Sequence, residues 1–291
     1  MATQKDNKKN NNNQCNSVEK VLFAVNDRGI ATVTLHCPEK HNAFDDLMIA
    51  SLASIFSKIA KSEDIRVVIL QANGKSFSAG ADLAWMKRMA DYSYEDNLTD
   101  ANKLAEMLSL LNFLPQPTIA KIQGSAFGGA VGLASCCDIV IASNKANFCL
   151  SEVKLGLIPA TISPHVINAI GVKASRRYFQ TAERFDAETA RQLGLVDEVT
   201  EPSHLDDSVD AMVNVLLSNG PEAMKQAKQL IFDVAYQVID SNLLTETSKR
   251  IARIRVSDEG QEGLKSFFEK RSPQWKVTAS SPLTTTKNNK G

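Results

Sequence analysis

The sequence predicts an α/β fold: a mostly parallel sheet followed by a helical C-terminal region. Three observations point there. Short apolar runs, among them RVVILQAN, PTIAKIQG and DIVIAS, alternate with segments of helical period, and that alternation is how parallel strands joined by crossover helices read. These runs are apolar at consecutive positions, as strands buried on both faces are. From about residue 174 onward the pattern is helical throughout.

The elements follow in order. VLFAVNDRG and IATVTLHC read as a hairpin turning at Asn26-Asp27-Arg28-Gly29. A helix over 45–60 is predicted from Leu47, Ile49, Leu52, Ile55, Phe56 and Ile59 near helical period. A strand over 66–73 is closed by Asn73-Gly74, and a helix spans 94–111. A strand over 117–124 leads into a glycine-rich turn and a short helix, and a further strand occupies 138–143. A helix over 187–193 ends at Gly194, and another over 205–218 stops at Asn219-Gly220-Pro221. Pro221 suits the first turn of a long helix running to about residue 242. Helices over 245–256 and 259–269 complete the set. The organisation read from this is a core over 17–200 and a helical region over 201–276. The Lys/Asn tail 1–16 and the tail 277–291 carry almost no apolar surface and are expected to be disordered.

Composition narrows the function. Thirty-three basic residues balance 33 acidic ones, which removes a bulk electrostatic case for nucleic acid or an anionic membrane. No apolar run reaches membrane-spanning length, and the N-terminus lacks a signal core. Five cysteines, Cys15, Cys37, Cys136, Cys137 and Cys149, show no metal-ligand spacing. They read as free thiols of a reducing cytoplasm, with Cys136-Cys137 as small buried hydrophobes. No metal site is predicted.

The chemistry-bearing stretches are glycine turns that follow strands. GKSFSAGADL (74–83) and GSAFGGAVG (124–132) each leave backbone N–H groups at the end of a buried strand. If two such turns converge, two N–H donors can hold a carbonyl oxygen that becomes negative during reaction. The spacing fits neither a dinucleotide fingerprint nor a phosphate loop. Glu152, in CLSEVKLGLIPA, sits in an apolar setting that would raise its pKa and let it move a proton near neutral pH. From the residues alone, a salt bridge to Lys154 or an exposed loop acid is the more ordinary role for such a glutamate. Asp82 and Asp138 read as braces that accept backbone N–H bonds.

Taken together, PEKHNAF, SFSAGADL, IQGSAFGGAVGL, CCDIVIAS, FCLSEVKLGLIPA, AERFDAETARQLGLVDEV and FFEKRSPQW resemble the crotonase, or enoyl-CoA hydratase/isomerase, superfamily over about residues 18–276. The resemblance implies a ClpP-like spiral of ββα units with a C-terminal trimerisation region, assembled as trimers or paired trimers. It implies that the backbone amides of Ala81 and Gly129 form the oxyanion hole for an acyl-CoA thioester. Ala43 and Phe44 would meet CoA, as would Lys270 from a neighbouring subunit. Trp85, Met86 and His165 would face the acyl group. Glu152 matches one of the two catalytic glutamates of the hydratases, whereas Gly132 stands where they have the other. The wording around these motifs is closest to methylglutaconyl-CoA and carboxygeranoyl-CoA hydratases of bacterial leucine and isoprenoid breakdown. The expected reaction is therefore hydration of a branched or carboxylated 2-enoyl-CoA, with no cofactor beyond the CoA of the substrate. Single-glutamate double-bond isomerisation is the alternative within the fold, and RNA binding, known for one relative, is the alternative outside it.

Overall fold

The computed structural model describes residues 19–276. The predicted tails lie outside these residues. β1 (Val21–Val25) and β2 (Ile30–Leu35) form the expected hairpin. α1 (Asp46–Ala60) follows, capped by Asp45, whose side chain accepts from the Met48 amide and pairs with Lys20. β3 (Val67–Ala72), α2 (Leu83–Met89) and α3 (Tyr94–Asn112) come next. A reciprocal Ser93/Asp96 capping box starts α3.

β4 (Thr118–Ile122), the short β5 (Ala126–Phe127) and α4 (Gly129–Cys136) make one unit. β6 (Ile139–Ser143), β7 (Asn147–Cys149) and α5 (Ser163–Thr181) repeat it. β8 (Phe185–Asp186), α6 (Ala187–Leu193) and β9 (Glu198–Thr200) close the spiral. The C-terminal helices are α7 (Leu205–Leu217), α8 (Pro221–Val234), α9 (Ser241–Val256) and α10 (Asp258–Phe268).

A six-stranded sheet has the order β1-β2-β3-β4-β6-β9, parallel from β2 onward. Its central strands are largely apolar because both faces are covered. Val68 and Leu70 of β3 join the main core with α1 and α3, while Val67 and Ile69 meet α7 through Leu205, Val209, Val213 and Leu217. Each such side chain contributes about 1.5–3 kcal/mol by leaving water. β5, β7 and β8 form a second, smaller sheet. Each turn of chain thus lays one strand in the large sheet and then a short piece in the small one.

Three expectations need correction. Strand structure does not end near residue 174, since β9 pairs with β6. Its three half-buried residues are too few to show a period. α5 begins at Ser163, and Gly171 at φ 75 interrupts its helical dihedrals and hides its repeat. The long helix from Pro221 stops at Val234. Tyr236 lies in the left-handed region at φ 62, and Asp240 then caps α9 by accepting from the Leu243 amide at 2.8 Å.

None of the four described cysteines is in a disulfide. Burial pushes the Cys137 thiol up to about 12 and the Cys136 thiol well above its ordinary value, which leaves both unreactive at neutral pH. Asp138 braces the core as expected, accepting from the Thr118 amide and hydroxyl and pairing with Lys228 at 2.7 Å. No helix among the described residues is long and apolar enough to cross a membrane.

Candidate active site

The small sheet places the two glycine turns side by side. After β2 the chain reaches Phe44, which bridges Ala81 in the turn after β3. Ser78 of that turn bridges Ala126 of β5, and β5 pairs with β7. The Phe44 amide donates to the Gly80 carbonyl and the Asp82 amide donates to the Phe44 carbonyl, both at 2.7 Å. Ala81, between them, turns its own N–H the other way, where no acceptor meets it among the described residues. Asp82 then caps α2, accepting from the Ala84 and Trp85 amides at 2.9 and 3.1 Å. Burial pushes the Asp82 carboxyl up, but hydrogen bonds from Lys40 and these amides leave its pKa below the usual carboxylate value.

The second turn repeats the device. The Gly128 amide donates to the Cys149 carbonyl at 2.9 Å, and Gly129 is the first residue of α4. A first helical residue has no carbonyl four positions back to bond to, and the Gly129 N–H meets no acceptor among the described residues. Ala81 and Gly129 line one cavity of about 560 Å³. Two unpartnered donors at one cavity wall can stabilise charge developing on a carbonyl oxygen.

Glu152 lines the same cavity. It opens a 3-10 turn, Glu152–Leu155, and forms no ion pair with the exposed Lys154. Its Oε2 is buried and has no hydrogen-bond partner among the described residues. Its Oε1 lies 3.2 Å from where a Cβ on Gly128 would stand, and Gly128 has φ +55. Any side chain at Gly128 would therefore be strained and would crowd the carboxyl. Burial raises the Glu152 pKa, with a backbone hydrogen bond offsetting part of the rise. Such a group can hold and return a proton near neutral pH.

Comparison with known proteins decides the family. The profile of the enoyl-CoA hydratase/isomerase family matches residues 26–278. The chain belongs to the enoyl-CoA hydratase/isomerase family. It is similar to the crystal structure of an enoyl-CoA hydratase from Shewanella pealeana, with 50% identity and a TM-score of 0.85 over 88% of this chain and 96% of that one. It is 32% identical to a short-chain-enoyl-CoA hydratase of Clostridium acetobutylicum, over 83% of this chain and 92% of the relative. A trans-2-decenoyl-[acyl-carrier-protein] isomerase of Streptococcus mutans is 28% identical over 88% of this chain and 98% of its own length. The crotonase fold and enzymatic character follow from this membership.

Within this family member, Gly132 is sealed. A Cβ there would stand 2.4 Å from Cγ2 and 2.9 Å from Cβ of Ile162, and 3.6 Å from Cδ2 of Leu108. Ile162 is 3% exposed and Leu108 fully buried. The space that a glutamate side chain would need is occupied by hydrocarbon, and Ile162 lines the cavity while Gly132 does not.

The other sequence candidates divide. Trp85, Met86 and Phe44 line the cavity, and the Phe44 ring lies 3.5 Å from a Cβ placed on Gly129. Ala43, whose amide donates to the Lys40 carbonyl, does not line it. His165 does not line it either. It is half-buried near the start of α5, and burial lowers its pKa. Lys270 is exposed just past α10, outside the lining of its own chain's cavity. Sequence reasoning passed over Asp100 and Leu104, which α3 brings to the cavity. Their signal was the spacing Asn97, Asp100, Leu104, Leu108 along one helix face.

Proposed function

We propose that the chain adds water to a branched 2-enoyl-CoA, in the manner of the methylglutaconyl-CoA hydratases its motifs resemble. The observation that carries this reading is the meeting, at one cavity, of two unpartnered amides and a desolvated carboxyl with an orphan oxygen. Water bonds to C3 and gives up one proton, which ends in solvent, the π electrons move into an enolate whose oxygen the Ala81 and Gly129 amides hold, and protonated Glu152 delivers its proton to C2 and regains one from solvent. Removing one such amide donor costs about 10²–10³ in rate. Leu104, Met86, Met89, Leu157 and Ile158 make the acyl wall apolar. The reaction needs no cofactor beyond the CoA that arrives with the substrate.

The assembly that suits this reading is a trimer or a pair of trimers. Tyr236, Val238, Ile239, Val256, Phe267 and Phe268 are exposed in the C-terminal helical region, and a subunit interface would cover them. Lys270 lies beside that surface in sequence and takes the CoA role across the subunit boundary.

A second reading is favoured by one observation. Gly132 packed against Ile162 denies α4 a second acid, and a single carboxylate suffices to shift a double bond. Product analysis separates the two. A 3-hydroxyacyl-CoA marks hydration, whereas a shifted double bond alone marks isomerisation. The cavity lining holds no Lys, Arg or His, so a distal acyl carboxylate has no cationic partner there. Assays with methylglutaconyl-CoA beside crotonyl-CoA test the branched-acid preference, and equal turnover of both would remove it.

A further inference from the structure

Two polar groups of the cavity are idle in the proton transfer at C2. One is the indole N–H of Trp85. The side chain is 5% exposed, it lines the cavity, and Nε1 has no hydrogen-bond partner among the described residues. A buried donor left without an acceptor is costly, so a site that keeps one is built to receive an acceptor. The other is the carboxyl of Asp100, which reaches the same cavity from α3. It approaches the Trp85 indole closely enough for that N–H to lower its pKa, yet Nε1 falls outside the geometry of a formed hydrogen bond. Asn97 is no substitute as a donor, because its amide already serves the carbonyls of Met89, Tyr92 and Ser93.

A donor and an acceptor that face one space without satisfying each other fit an O–H group, which accepts from the first and donates to the second. Hydration has one such oxygen: it enters as water and leaves as the product hydroxyl. We propose that Trp85 and Asp100 hold this oxygen, and that Asp100 is the base for which the sealed Gly132 wall leaves no room on α4. The inference rests on the hydratase reading.

The step balances. The water oxygen bonds to C3 as one of its O–H bonds breaks, and that proton goes to Asp100. The C2–C3 π pair moves into the thioester as an enolate, and Glu152 protonates C2. Asp100 returns its proton to solvent and Glu152 takes one back, so one water is added in sum.

The charged surroundings suit a base. Burial raises the Asp100 pKa, and Asp46 of α1 pushes the same way. Lys103 of its own helix, the Trp85 indole and Arg88 of α2 act against the rise. Glu152 is the other acid lining the cavity. Because Asp100 must be ionised to take the proton, hydration falls as pH drops through its raised pKa.

The test uses the full chain with crotonyl-CoA for hydration. Deuterium exchange at C2 of butyryl-CoA serves as the reaction that needs Glu152 and not Asp100. Asp100→Asn is expected to lower kcat for hydration about 10²–10⁴-fold, to abolish the acid limb of the pH profile, and to leave C2 exchange at the wild-type rate. Trp85→Phe keeps the ring contacts, loses the donor, and is expected to slow hydration about tenfold. Hydration by Asp100→Asn at the wild-type rate overturns the assignment. So does parallel loss of hydration and C2 exchange, which marks a structural role. If the wild-type chain itself forms no 3-hydroxyacyl-CoA, the hydratase reading falls and takes this assignment with it. That outcome is told apart because it shows before any variant is made.

Discussion

Gly128 and Gly132 lie one helical turn apart and are glycine for opposite reasons. At Gly128 the absent side chain leaves room for a polar group, with Glu152 Oε1 3.2 Å from the would-be Cβ. At Gly132 it leaves room for an apolar one, with Ile162 Cγ2 at 2.4 Å. The first glycine opens a reactive cradle and the second closes a wall. The same residue type thus yields to a polar neighbour at one position and to an apolar one at the other, and only the neighbour tells which.

That contrast can be broken at either end. The largest expected effect is at the cradle. Glu152→Gln removes the proton-transferring group and should lower turnover about 10²–10⁴-fold, with acyl-CoA binding retained by calorimetry. Unchanged turnover would place the acid elsewhere. At the wall, Gly132→Glu forces a charge into the Ile162 and Leu108 contact. Uncompensated burial of that kind costs about 3–5 kcal/mol, so thermal melts should show loss of a cooperative fold. A stable variant would show that the wall yields.

Smaller changes sharpen the comparison. Gly132→Ala should destabilise by about 1–3 kcal/mol through overpacking, and Ile162→Ala by about 2–5 kcal/mol through a cavity. In the double variant the new methyl enters the vacated space, so the sum should fall short by about 0.5–3 kcal/mol in denaturant titrations. Strict additivity would mean the two do not share space. The cradle should also show its cost in stability. The folded Glu152 pKa lies above its unfolded one. The group therefore costs nothing below the ordinary carboxylate pKa, and stability is lost as pH rises through the folded value. Glu152→Gln should thus stabilise the fold by about 1–3 kcal/mol at neutral pH, the size of an unsatisfied buried group, with the gain vanishing in acid. A gain independent of pH would contradict the burial argument. The smallest effect is at Asp82: its replacement by Ala should cost about 1 kcal/mol through loss of the α2 cap, read as a lowered melting temperature.

Much of the fold was legible because its signals are local. Apolar runs such as VVILQA carry their own evidence of burial on two faces, and Asn73-Gly74 punctuates them. What escaped depended on partners distant in sequence. β9 is a strand only because β6 offers an edge, and the break after Val234 rests on one left-handed residue, Tyr236. The site divides in the same way. The glycine turns and Glu152 sit in contiguous motifs. Asp100 reads as one more polar residue of an exposed helix, and only the packing of α3 against α1 and α4 brings it to the cavity. The resemblance sets His165 against the acyl group, but the first turn of α5 carries it outside the lining.

The most direct measurement is the infrared carbonyl stretch of a bound acyl-CoA carrying carbon-13 at its thioester carbonyl. Two amides aimed at that oxygen should shift the band to lower frequency than in water, in the wild-type chain and in Glu152→Gln alike. A band at its aqueous position in the bound complex would contradict the account, because it would mean the Ala81 and Gly129 hydrogens do not reach the oxygen they are held out to meet.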